Sequence, residues 1–373
     1  MKRITLYALT VLTMLCGCKN DDTDYSAYTT NIGEVTTIYI NYDGTRATVS
    51  GDTYGVVSVN GADVTVVSQR ADSMLLVLSG STTDGSLLVS RNRKFGILLN
   101  GVSITNADGP AINNQCGKAL YIETANGTAN TLTDGAAYAD QAYDQKGTLF
   151  SEGQIYFSGT GSLTVTSNCK HAIASDDYIV FNNGSITANA TAGNGIKVND
   201  GLWINGGTLD IKTTAAGGRG IKCDSVVVIS GGTTTITTEG DCIYDTEKQD
   251  YSSSACIKCD YPFTMTGGAL TMTSSGDGGK CINCDSDILF SGGTLMAKTT
   301  GNNVNSKPKA IKSNTAIVVS GGSFTATVKK SWACDNGYED ESLSDTQLAQ
   351  KRITVEGSPT KKQILKKSVE IIY

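Results

Sequence analysis

The feature that most constrains this sequence is a repeat in its second half, in which an isoleucine is followed eleven residues later by a glycine. The six column isoleucines are Ile173, Ile196, Ile221, Ile257, Ile282 and Ile311, and the glycines are Gly184, Gly207, Gly232, Gly268, Gly293 and Gly322. Successive isoleucines lie 23, 25, 36, 25 and 29 residues apart. Because the extra length falls outside the fixed part, the pattern is typical of a solenoid with insertions in its loops.

Within each unit the apolar residues alternate with polar ones, which is the period of a β-strand. The first strand carries the column isoleucine and a second inward residue two positions later, which is Ser175, Val198, Cys223, Cys259, Cys284 or Ser313. Three short strands joined by turns in about two dozen residues predict one coil of a parallel β-helix, whose neighbouring coils pair with each other. The predicted fold class is therefore all-β.

Regular winding is predicted for 95–330. Short alternating segments in 35–94 predict an N-terminal β cap that merges into the first coils, because the open end of a solenoid has to be covered. The repeat stops before 331–373, which is predicted to form a small C-terminal cap. Within that cap, Ser344 followed by Gln347 has the spacing of a capping box and predicts a short helix.

The column is expected to continue upstream through Ile112 and Phe150. Phe150 precedes Ile173 by 23 residues and Gly161 by eleven, which matches the later units. Two long polar excursions leave the predicted coils, at 126–146 and 240–254. Loops of this length on a solenoid often gather on one face and form a binding rim.

Residues 1–17 have the pattern of an export signal, with a basic start and an apolar run too short to span a bilayer. The run ends in Leu15-Cys16-Gly17-Cys18, which resembles a bacterial lipoprotein signal that directs cleavage before Cys18 and acylation of its thiol. Cleavage and secretion without a lipid is the alternative. A lipidated Cys18 would anchor the protein to a membrane.

The segment 18–34 is predicted to be a tether. Its acidic run at 19–24 resembles the export tag of surface lipoproteins in the Bacteroides group, and a solvated linker is the alternative. The predicted location is the outer membrane or cell surface. The net charge of −6 argues against general nucleic-acid binding.

A polar residue stands three positions after each column isoleucine: Asp176, Asn199, Asp224, Asp260, Asp285 or Asn314. By alternation these side chains point outward, and stacked coils lie about 4.8 Å apart, so they form a ladder. Like carboxylates at that spacing repel each other, and a bridging Ca²⁺ would relieve the repulsion. Asn194, Asp241 and Asp277 lie in glycine-rich turns just upstream and can add ligands. The alternative is a solvated ladder paired with nearby lysines.

Those lysines are Lys197, Lys222, Lys258 and Lys312, two residues earlier on the same outward face. Four stacked lysines can contact successive carboxylates of a uronic-acid polymer. Alternatively, each lysine forms a local ion pair of little energetic value with its neighbouring aspartate. Trp203, on the outward side of a second strand, can serve as a stacking platform for a sugar or pack beneath a loop.

Two Cys-x-x-Cys pairs, Cys256 with Cys259 and Cys281 with Cys284, imitate a zinc site. The repeat explains them better, because Cys259 and Cys284 occupy the inward position and stack with Cys223. The interpretation is a reduced, buried ladder of small side chains. Disulfides between adjacent coils and a zinc site are the alternatives.

Residues suited to catalysis are sparse. His171 is the only histidine, and no motif places a serine or aspartate beside it. A lyase of this fold would need a basic residue beside calcium, for which Arg219 and Lys222 near Asp224 are candidates. A glycosidase would need a convergent pair of carboxylates, and the ladder places carboxylates near each other only because the repeat stacks them. For both enzyme classes, the outward polarity that the repeat imposes is the better explanation of these residues.

Several ordered stretches resemble a known bacterial family. LLNGVSITNADGPAI, GTANTLTDGAAY, GTGSLTV and the repeated GIK-x-N/D…GG-T pattern, within about 76–330, are similar to those of a carbohydrate-binding domain family. The resemblance implies a pectate-lyase-like, right-handed β-helix that binds calcium and acidic or cellulosic polysaccharides without known cleavage. It favours calcium at the ladder over pairing with lysine alone.

These observations predict a cell-surface lipoprotein that binds polysaccharide on the outside of a calcium-loaded β-helix. The predicted calcium ligands are Asp176, Asn199, Asp224, Asp241, Asp260, Asp277 and Asp285. The predicted ligand-binding residues are Lys197, Lys222, Lys258, Lys312 and Trp203. The alternatives are a polysaccharide lyase or glycoside hydrolase of β-helix fold, and an adhesin that recognises protein. We expect no nucleic-acid partner.

Overall fold

The structure is a computed structural model that describes residues 35–356, 360–364 and 368–372 of the 373-residue chain. The predicted signal peptide, the lipidated Cys18 and the tether at 18–34 lie outside the described residues. Within the described part, no helix has the length and apolar character needed to cross a membrane.

The described residues form β-strands almost throughout. The first strands are β1 (Val35–Gly44), β2 (Arg46–Ser50), β3 (Val57–Asn60), β4 (Asp63–Ser68), β5 (Ser73–Thr82), β6 (Ser86–Arg91), β7 (Phe95–Asn106), β8 (Ile112–Asn114), β9 (Leu120–Thr124) and β10 (Ala129–Asp134). The next are β11 (Gly147–Ser151), β12 (Ile155–Gly159), β13 (Ser162–Ser167), β14 (His171–Ser175), β15 (Tyr178–Phe181), β16 (Ser185–Ala190), β17 (Ile196–Val198), β18 (Gly201–Ile204), β19 (Thr208–Thr213), β20 (Arg219–Cys223), β21 (Val227–Ile229) and β22 (Thr233–Thr238).

The later coils and the C-terminal elements follow in the same order. They are β23 (Ile243–Asp245), β24 (Asp250–Ser252), β25 (Ala255–Cys259), β26 (Phe263–Met265), β27 (Ala269–Ser274), β28 (Lys280–Cys284), β29 (Ile288–Phe290), β30 (Thr294–Thr299), β31 (Lys309–Ser313), β32 (Ile317–Val319) and β33 (Ser323–Val328). The chain ends with β34 (Cys334–Asp335), α1 (Asp345–Lys351), β35 (Thr354–Val355), β36 (Thr360–Ile364) and β37 (Ser368–Ile372).

The strands wind into coils that pair in parallel. The first strands of successive coils form a 12-stranded sheet, β3-β4-β6-β8-β11-β14-β17-β20-β25-β28-β31-β34, which we call the ladder sheet. The other strands of each coil lie in a 23-stranded sheet. Parallel pairing starts with β4 against β6, and about 11 turns result. The fold is a right-handed parallel β-helix, which confirms the predicted all-β architecture.

The six column isoleucines lie in register on consecutive coils, in the order Ile173, Ile196, Ile221, Ile257, Ile282 and Ile311. All are fully buried. Side chains of one shape stack on each other without voids, which is the packing that a protein interior requires. The glycine turns follow the same register: Gly232 has a φ of 74°, and a Cβ there would lie 2.7 Å from the Gly207 carbonyl oxygen. A side chain at this position would force the backbone to move.

The prediction that Phe150 continues the column is wrong by one residue. Leu149 pairs with Ile173, whereas Phe150 pairs with Ala174 in the outward row. The cause is the turn at 158–161, which has four residues where the next coil has three. Because of this extra residue, Gly161 follows Leu149 by twelve residues and Phe150 by eleven. The eleven-residue spacing therefore indicated Phe150 instead of Leu149.

The inward position two residues after the isoleucine is also a stacked column. Cys223, Cys259 and Cys284 lie on consecutive coils there and are fully buried. All nine cysteines of the described part are free thiols. Burial raises the pKa of Cys223 to about 12, and a thiol that stays protonated is a poor nucleophile and metal ligand.

Antiparallel strands and a short helix cover the two ends. β1 pairs with β2 and β3 with β4 at the N-terminal end, and β37 pairs with β33 and β36 at the C-terminal end. Helix α1 begins with the predicted capping box, in which Gln347 N donates to Ser344 Oγ at 3.4 Å and Ser344 N donates to Gln347 Oε1 at 3.0 Å. Covered edges keep further strands from adding to the sheets.

Candidate functional site

The outward surface of the ladder sheet, which we call the ladder face, carries the polar residues singled out by the repeat. Lys197, Lys222 and Lys258 lie in register on consecutive coils. Asn283 takes the next position, and Lys312 the one after it. Strand alternation directs these side chains outward, because their neighbours on both sides fill the inward columns.

Lysines and aspartates alternate in a chain of ion pairs along the ladder face. Lys222 Nζ lies 2.6 Å from an oxygen of Asp224 in its own coil and 3.1 Å from Asp260 in the next. Lys258 repeats the pattern, 3.0 Å from Asp260 and 2.5 Å from Asp285. Each of these lysines therefore bridges two coils.

The two ends of this chain differ. Lys197 contacts Asp224 of the next coil and donates to Asn199 Oδ1 of its own at 2.7 Å. Lys312 makes no ion pair with any other described residue, while Asn314 Nδ2 donates to Asp285 Oδ1 at 3.1 Å. One cation of the row is thus left without a carboxylate partner.

The ion pairs keep both partners charged. Burial alone would raise the pKa of Asp224 and of Asp260, but the hydrogen bonds and charges of the neighbouring lysines outweigh it and lower both pKa values. Burial alone would lower the pKa of Lys222, but its bonds to Asp224 and Asp260 raise it. The side chain of Asp224 is 41% exposed, so ions and ligands in solution can compete for these partners.

The lysine ammonium groups occupy the places that a bridging cation would take between Asp224, Asp260 and Asp285. Lysine nitrogens lie 2.5 to 3.1 Å from these carboxylates, so the repulsion that calcium was expected to relieve is already offset. Calcium at these three residues would have to displace lysines. This part of the predicted donor set therefore fits the ion poorly.

A different arrangement surrounds Asp176, the first acidic residue of the predicted ladder, and Glu152, which takes the same position in the preceding coil. Asp144, Glu152 and Asp176 each place one oxygen within 4.8 Å of the others. A single lysine, Lys146, serves two of them, Asp144 at 2.7 Å and Asp176. Burial, together with the charge of Asp176, raises the pKa of Glu152. Three carboxylates against one ammonium leave excess negative charge, and this oxygen donor set fits a hard cation such as Ca²⁺.

The predicted ligands in the glycine-rich turns serve the backbone. Asp277 is 8% exposed, and its oxygens accept from Val304 N at 2.8 Å and Asn305 N at 2.9 Å. Asp241 Oδ1 accepts from Asp277 N at 2.7 Å, and Asn194 accepts from a backbone amide of its next coil in the same way. These side chains join consecutive turns and stand apart from the carboxylate group around Asp176.

Trp203 lies in β18, on another wall of the solenoid. Its ring meets Tyr178 edge-on, with centroids 5.6 Å apart. Tyr156 contacts Tyr178 and stacks on Tyr121 with centroids 5.0 Å apart. Trp203 therefore belongs to a row of aromatic side chains on the second strands of their coils. Because these strands lie on a different wall from the ladder face, Trp203 is not next to the lysines.

Sequence reasoning missed Asp144, Lys146 and Glu152. The prediction that 126–146 leave the coils is wrong for 129–134, which form β10 and pair in parallel with β7 and β13. The segment that follows β10 does leave the coil, and it brings Asp144 and Lys146 over the start of the ladder face. Lys146 Nζ lies 5.4 Å from the ring centre of Phe150, which is buried although it belongs to the outward row. The polar excursion is the sequence signal for Asp144 and Lys146. Glu152 stands three residues after Leu149, the position that Asp176 takes after Ile173, so it belongs to the ladder and was missed because Phe150 had been assigned to the column.

The second excursion, at 240–254, contains the hairpin β23–β24. Its Tyr244 and Tyr251 meet edge-on with ring centroids 5.2 Å apart, and they are 53% and 36% exposed. Arg219 Nη2 donates to Ser252 Oγ at 2.8 Å, which fixes the hairpin to the ladder sheet. The tyrosine pair presents exposed aromatic faces on which a sugar ring can stack.

His171, like Asp241, accepts a hydrogen bond from a backbone amide in the turn of the next coil. Its Nδ1 accepts from Asn194 N at 3.1 Å, and burial lowers its pKa to about 4. The imidazole is therefore neutral at physiological pH.

Known proteins resemble this chain in sequence and in structure. A carbohydrate-binding domain-containing protein of Acetivibrio thermocellus is 30% identical over 143 residues, which make up 36% of this chain and 50% of that protein. The chain thus spans about half the length of this curated relative. A solved structure described as "Structure of the polysaccharide lyase-like protein from C. thermocellum, Gadolinium derivative" matches with a TM-score of 0.57 and 25% identity. The match covers 72% of this chain and 100% of the other.

The family assignment comes from a sequence model that represents a whole protein family. The model described as "Carbohydrate-binding domain-containing protein" matches residues 60–244 and 213–303. This span is more than half of the chain, and it contains the ion pairs from Lys197 to Asp285 as well as the carboxylate group around Asp176. The chain therefore belongs to the family of carbohydrate-binding domain-containing proteins.

Proposed function

We propose that this protein binds an acidic polysaccharide of the uronic-acid type on its ladder face, without cleaving it. The observation that carries the proposal is the row of Lys197, Lys222 and Lys258, which the fold holds in register on three successive coils. Lys312 continues the same row two coils further on, beyond Asn283. Family membership supports a carbohydrate ligand. A regular row of cations complements a polymer whose carboxylates also recur at regular intervals.

Binding on this face exchanges one set of ion pairs for another. A polymer carboxylate that approaches Lys222 competes with Asp260, whose oxygens lie 3.1 Å from the ammonium nitrogen. The side chains of Lys222 and Asp260 are 21% and 36% exposed, so water and ions screen this pair and its exchange for a polymer carboxylate costs little. Several lysines that meet one polymer act together, because each later contact forms within an already bound chain. The tyrosines of the β23–β24 hairpin add surfaces for ring stacking.

A lyase of the same fold is the second candidate, because the structurally similar protein is described as polysaccharide lyase-like. A proton-abstracting lysine needs a pKa near the working pH. The half-buried candidate Lys222 has a pKa raised by its bonds to Asp224 and Asp260. Lys280 has a pKa lowered to about 8 by burial, but it is 7% exposed and its ammonium donates to Ser253 Oγ and the Gly278 carbonyl. The raised pKa of Lys222 and the burial of Lys280 favour binding over cleavage.

The calcium of this proposal belongs at Asp144, Glu152 and Asp176. Their oxygens converge, and only Lys146 offsets their charge. The structurally similar protein is described as a gadolinium derivative, and gadolinium, like calcium, is a hard cation that takes oxygen ligands. When bound here, calcium would supply positive charge at the start of the ladder face. Lys146 would then be available to a ligand carboxylate.

Anchoring at the outer membrane or cell surface through Cys18 is part of the proposal and rests on the sequence pattern. Cys18→Ser should move the protein from membrane fractions into soluble fractions. Fractionation of cells that express the wild type and the variant provides the measurement. A wild-type protein that is already soluble contradicts the anchor.

Retention on immobilised polygalacturonate tests the binding function. The wild type should be retained, and Lys222→Ala/Lys258→Ala should elute at lower salt. Lys212→Ala is the matched control, because it removes a lysine paired with Glu239 at 2.7 Å on another wall. Retention without unsaturated or new reducing ends supports a binding protein. Product formation would instead support a lyase or hydrolase, and a lack of retention on any polysaccharide would favour an adhesin.

A further inference from the structure

A pocket lies at the C-terminal end of the ladder face. Asp335 of β34 pairs in register with Lys312, so it occupies the last position of the lysine row. The cavity beside it has a volume of about 390 Å³, and we call it the end pocket. Its wall includes Lys307, Lys309, Lys330, Trp332, Asp335 and Arg352. Ligand sites in proteins commonly measure roughly 300 to 1,000 Å³, so the end pocket has room for a sugar unit.

The end pocket is positively charged in a protein that is acidic as a whole. Four lining residues are cationic and two are acidic, Asp335 and Glu339, whereas the whole chain carries a net charge of −6. Lys307 makes no ion pair within the described part of the chain, and Lys330 Nζ donates to Asn302 Oδ1 at 3.3 Å. Both ammonium groups are therefore free to meet an anion.

One carboxylate serves the two buried cations of the pocket. Asp335 contacts Lys309 and accepts from Arg352 Nη1 at 2.8 Å. The same carboxylate also accepts from Gly337 N at 3.1 Å. Burial, with the nearby charge of Arg352, lowers the pKa of Lys309 although Asp335 opposes the shift. Positive charge in the wall thus exceeds what the protein's own anions neutralise.

Arg352 brings a buried cation to the wall of the end pocket. The residue caps the C-terminal end of α1 and is 4% exposed. Its Nε is buried and has no hydrogen-bond partner, and leaving such a donor unpaired is costly. The guanidinium carbon lies 5.0 Å from the ring centre of Trp332. Arg352 and Trp332 line the same cavity, so a guanidinium group and an indole ring are both available to a sugar that carries a carboxylate.

We propose that the end pocket binds the carboxylate of a terminal uronic-acid unit, so that the end of the polymer on the ladder face is recognised in it. The inference rests on the proposed function for the identity of the polymer. Lys307 and Lys330 pair with the sugar carboxylate, and Trp332 faces the pyranose ring. A polymer that lies along the lysine row reaches the pocket because Asp335 continues that row.

Calorimetry with galacturonate, galactose and inorganic phosphate tests the pocket separately from the ladder face. Galacturonate should bind the wild type, and galactose should bind much more weakly because it lacks the carboxylate. Lys307→Gln/Lys330→Gln should weaken galacturonate binding by about tenfold or more, since charged hydrogen bonds are lost. Lys329→Gln is the matched control, because this neighbouring lysine is exposed and lies outside the pocket wall.

The outcomes separate this inference from the proposed function. Galacturonate affinity that survives Lys307→Gln/Lys330→Gln overturns the end pocket, and the proposed function stands if polymer retention still depends on Lys222 and Lys258. Phosphate that binds as tightly as galacturonate also overturns the assignment, because it reveals a general anion site. Polymer retention that ignores the ladder lysines contradicts the proposed function. Loss of galacturonate binding in the double variant would still support the pocket in that case.

Discussion

Lys222 Nζ lies 3.1 Å from both carboxylate oxygens of Asp260, which belongs to the following coil. A lysine of one coil is thus the partner of an aspartate in the next, and the pattern continues through Lys258 and Asp285. The aspartates are internal competitors for any ligand carboxylate. They also hold the side chains of Lys197, Lys222 and Lys258 in place before a ligand arrives.

Removal of this competition should strengthen binding. Asp260→Asn leaves Lys222 and Lys258 each with one fewer partner, so affinity for a uronic-acid polymer should rise by about two- to fivefold, the scale expected for exposed ion pairs. Calorimetry with polygalacturonate provides the measurement, and Asp210→Asn on another wall is the control. Weaker binding by Asp260→Asn would show that this carboxylate supports the ligand, as a calcium ligand would.

Calcium affinity should depend on the start of the ladder and not on its middle. Asp176→Asn removes one of three converging carboxylates, so Ca²⁺ affinity should fall by about tenfold or more. Asp285→Asn is the control, because this carboxylate already pairs with Lys258. Calcium titrations of the two variants should therefore differ. If the parent protein and Asp176→Asn bound Ca²⁺ with equal affinity, the metal would not be held at this site.

The same site should respond to pH through Glu152. Burial and the charge of Asp176 raise its pKa, so protons compete with calcium at a higher pH than for an ordinary glutamate. Calcium affinity should decline as pH falls into that raised range, and Glu152→Gln should bind calcium more weakly with a flatter pH dependence. A parent protein whose calcium affinity is constant down to the usual glutamate range would contradict this coupling.

The column register has a direct stability test. Ile221→Asp places an unpaired charge where the side chain is fully buried, and the free energy of unfolding should fall by several kcal/mol. Ile221→Val is the control and should cost about 1 kcal/mol. Thermal or urea unfolding measures both. An unchanged midpoint for Ile221→Asp would mean that the coil has a different register.

His171 should make stability depend on pH. Burial lowers its pKa from 6.5 to about 4, so the unfolded chain binds the proton more readily. The contribution is present above pH 6.5 and is lost as pH falls towards 4, by up to about 3 kcal/mol. Urea unfolding between pH 7 and pH 4 should show a smaller decline for His171→Gln than for the wild type. Parallel curves would indicate that the imidazole is accessible when folded.

The fold could be predicted from sequence because its periodicity is strict. Ile196 and Ile221 occupy equivalent positions in successive coils, and parallel pairing between coils keeps them in register. The error at Phe150 shows the limit of this method, since one extra residue in the turn at 158–161 is enough to assign the wrong neighbour to the column. A pattern based on spacing loses its register wherever a turn changes length.

The site was harder to predict because alternation gives the face of a side chain and not its partner. Lys222 was correctly assigned to the outward face, but whether its flexible stem reaches Asp224, Asp260 or a ligand depends on rotamers. Asp277 accepts from amides in a loop of the following coil, which has no periodic signal. Arg352 of the end pocket directly follows α1, outside the repeat altogether.

The most direct test of the central claim compares polygalacturonate with the same polymer after its carboxylates have been reduced to alcohols. The wild type should bind the acidic polymer, its affinity should fall as salt rises, and the reduced polymer should bind far more weakly. Lys222→Ala/Lys258→Ala should show a smaller salt dependence with the acidic polymer. Equal binding of the two polymers by the wild type, with no effect of salt, would contradict recognition of carboxylates by the lysine row.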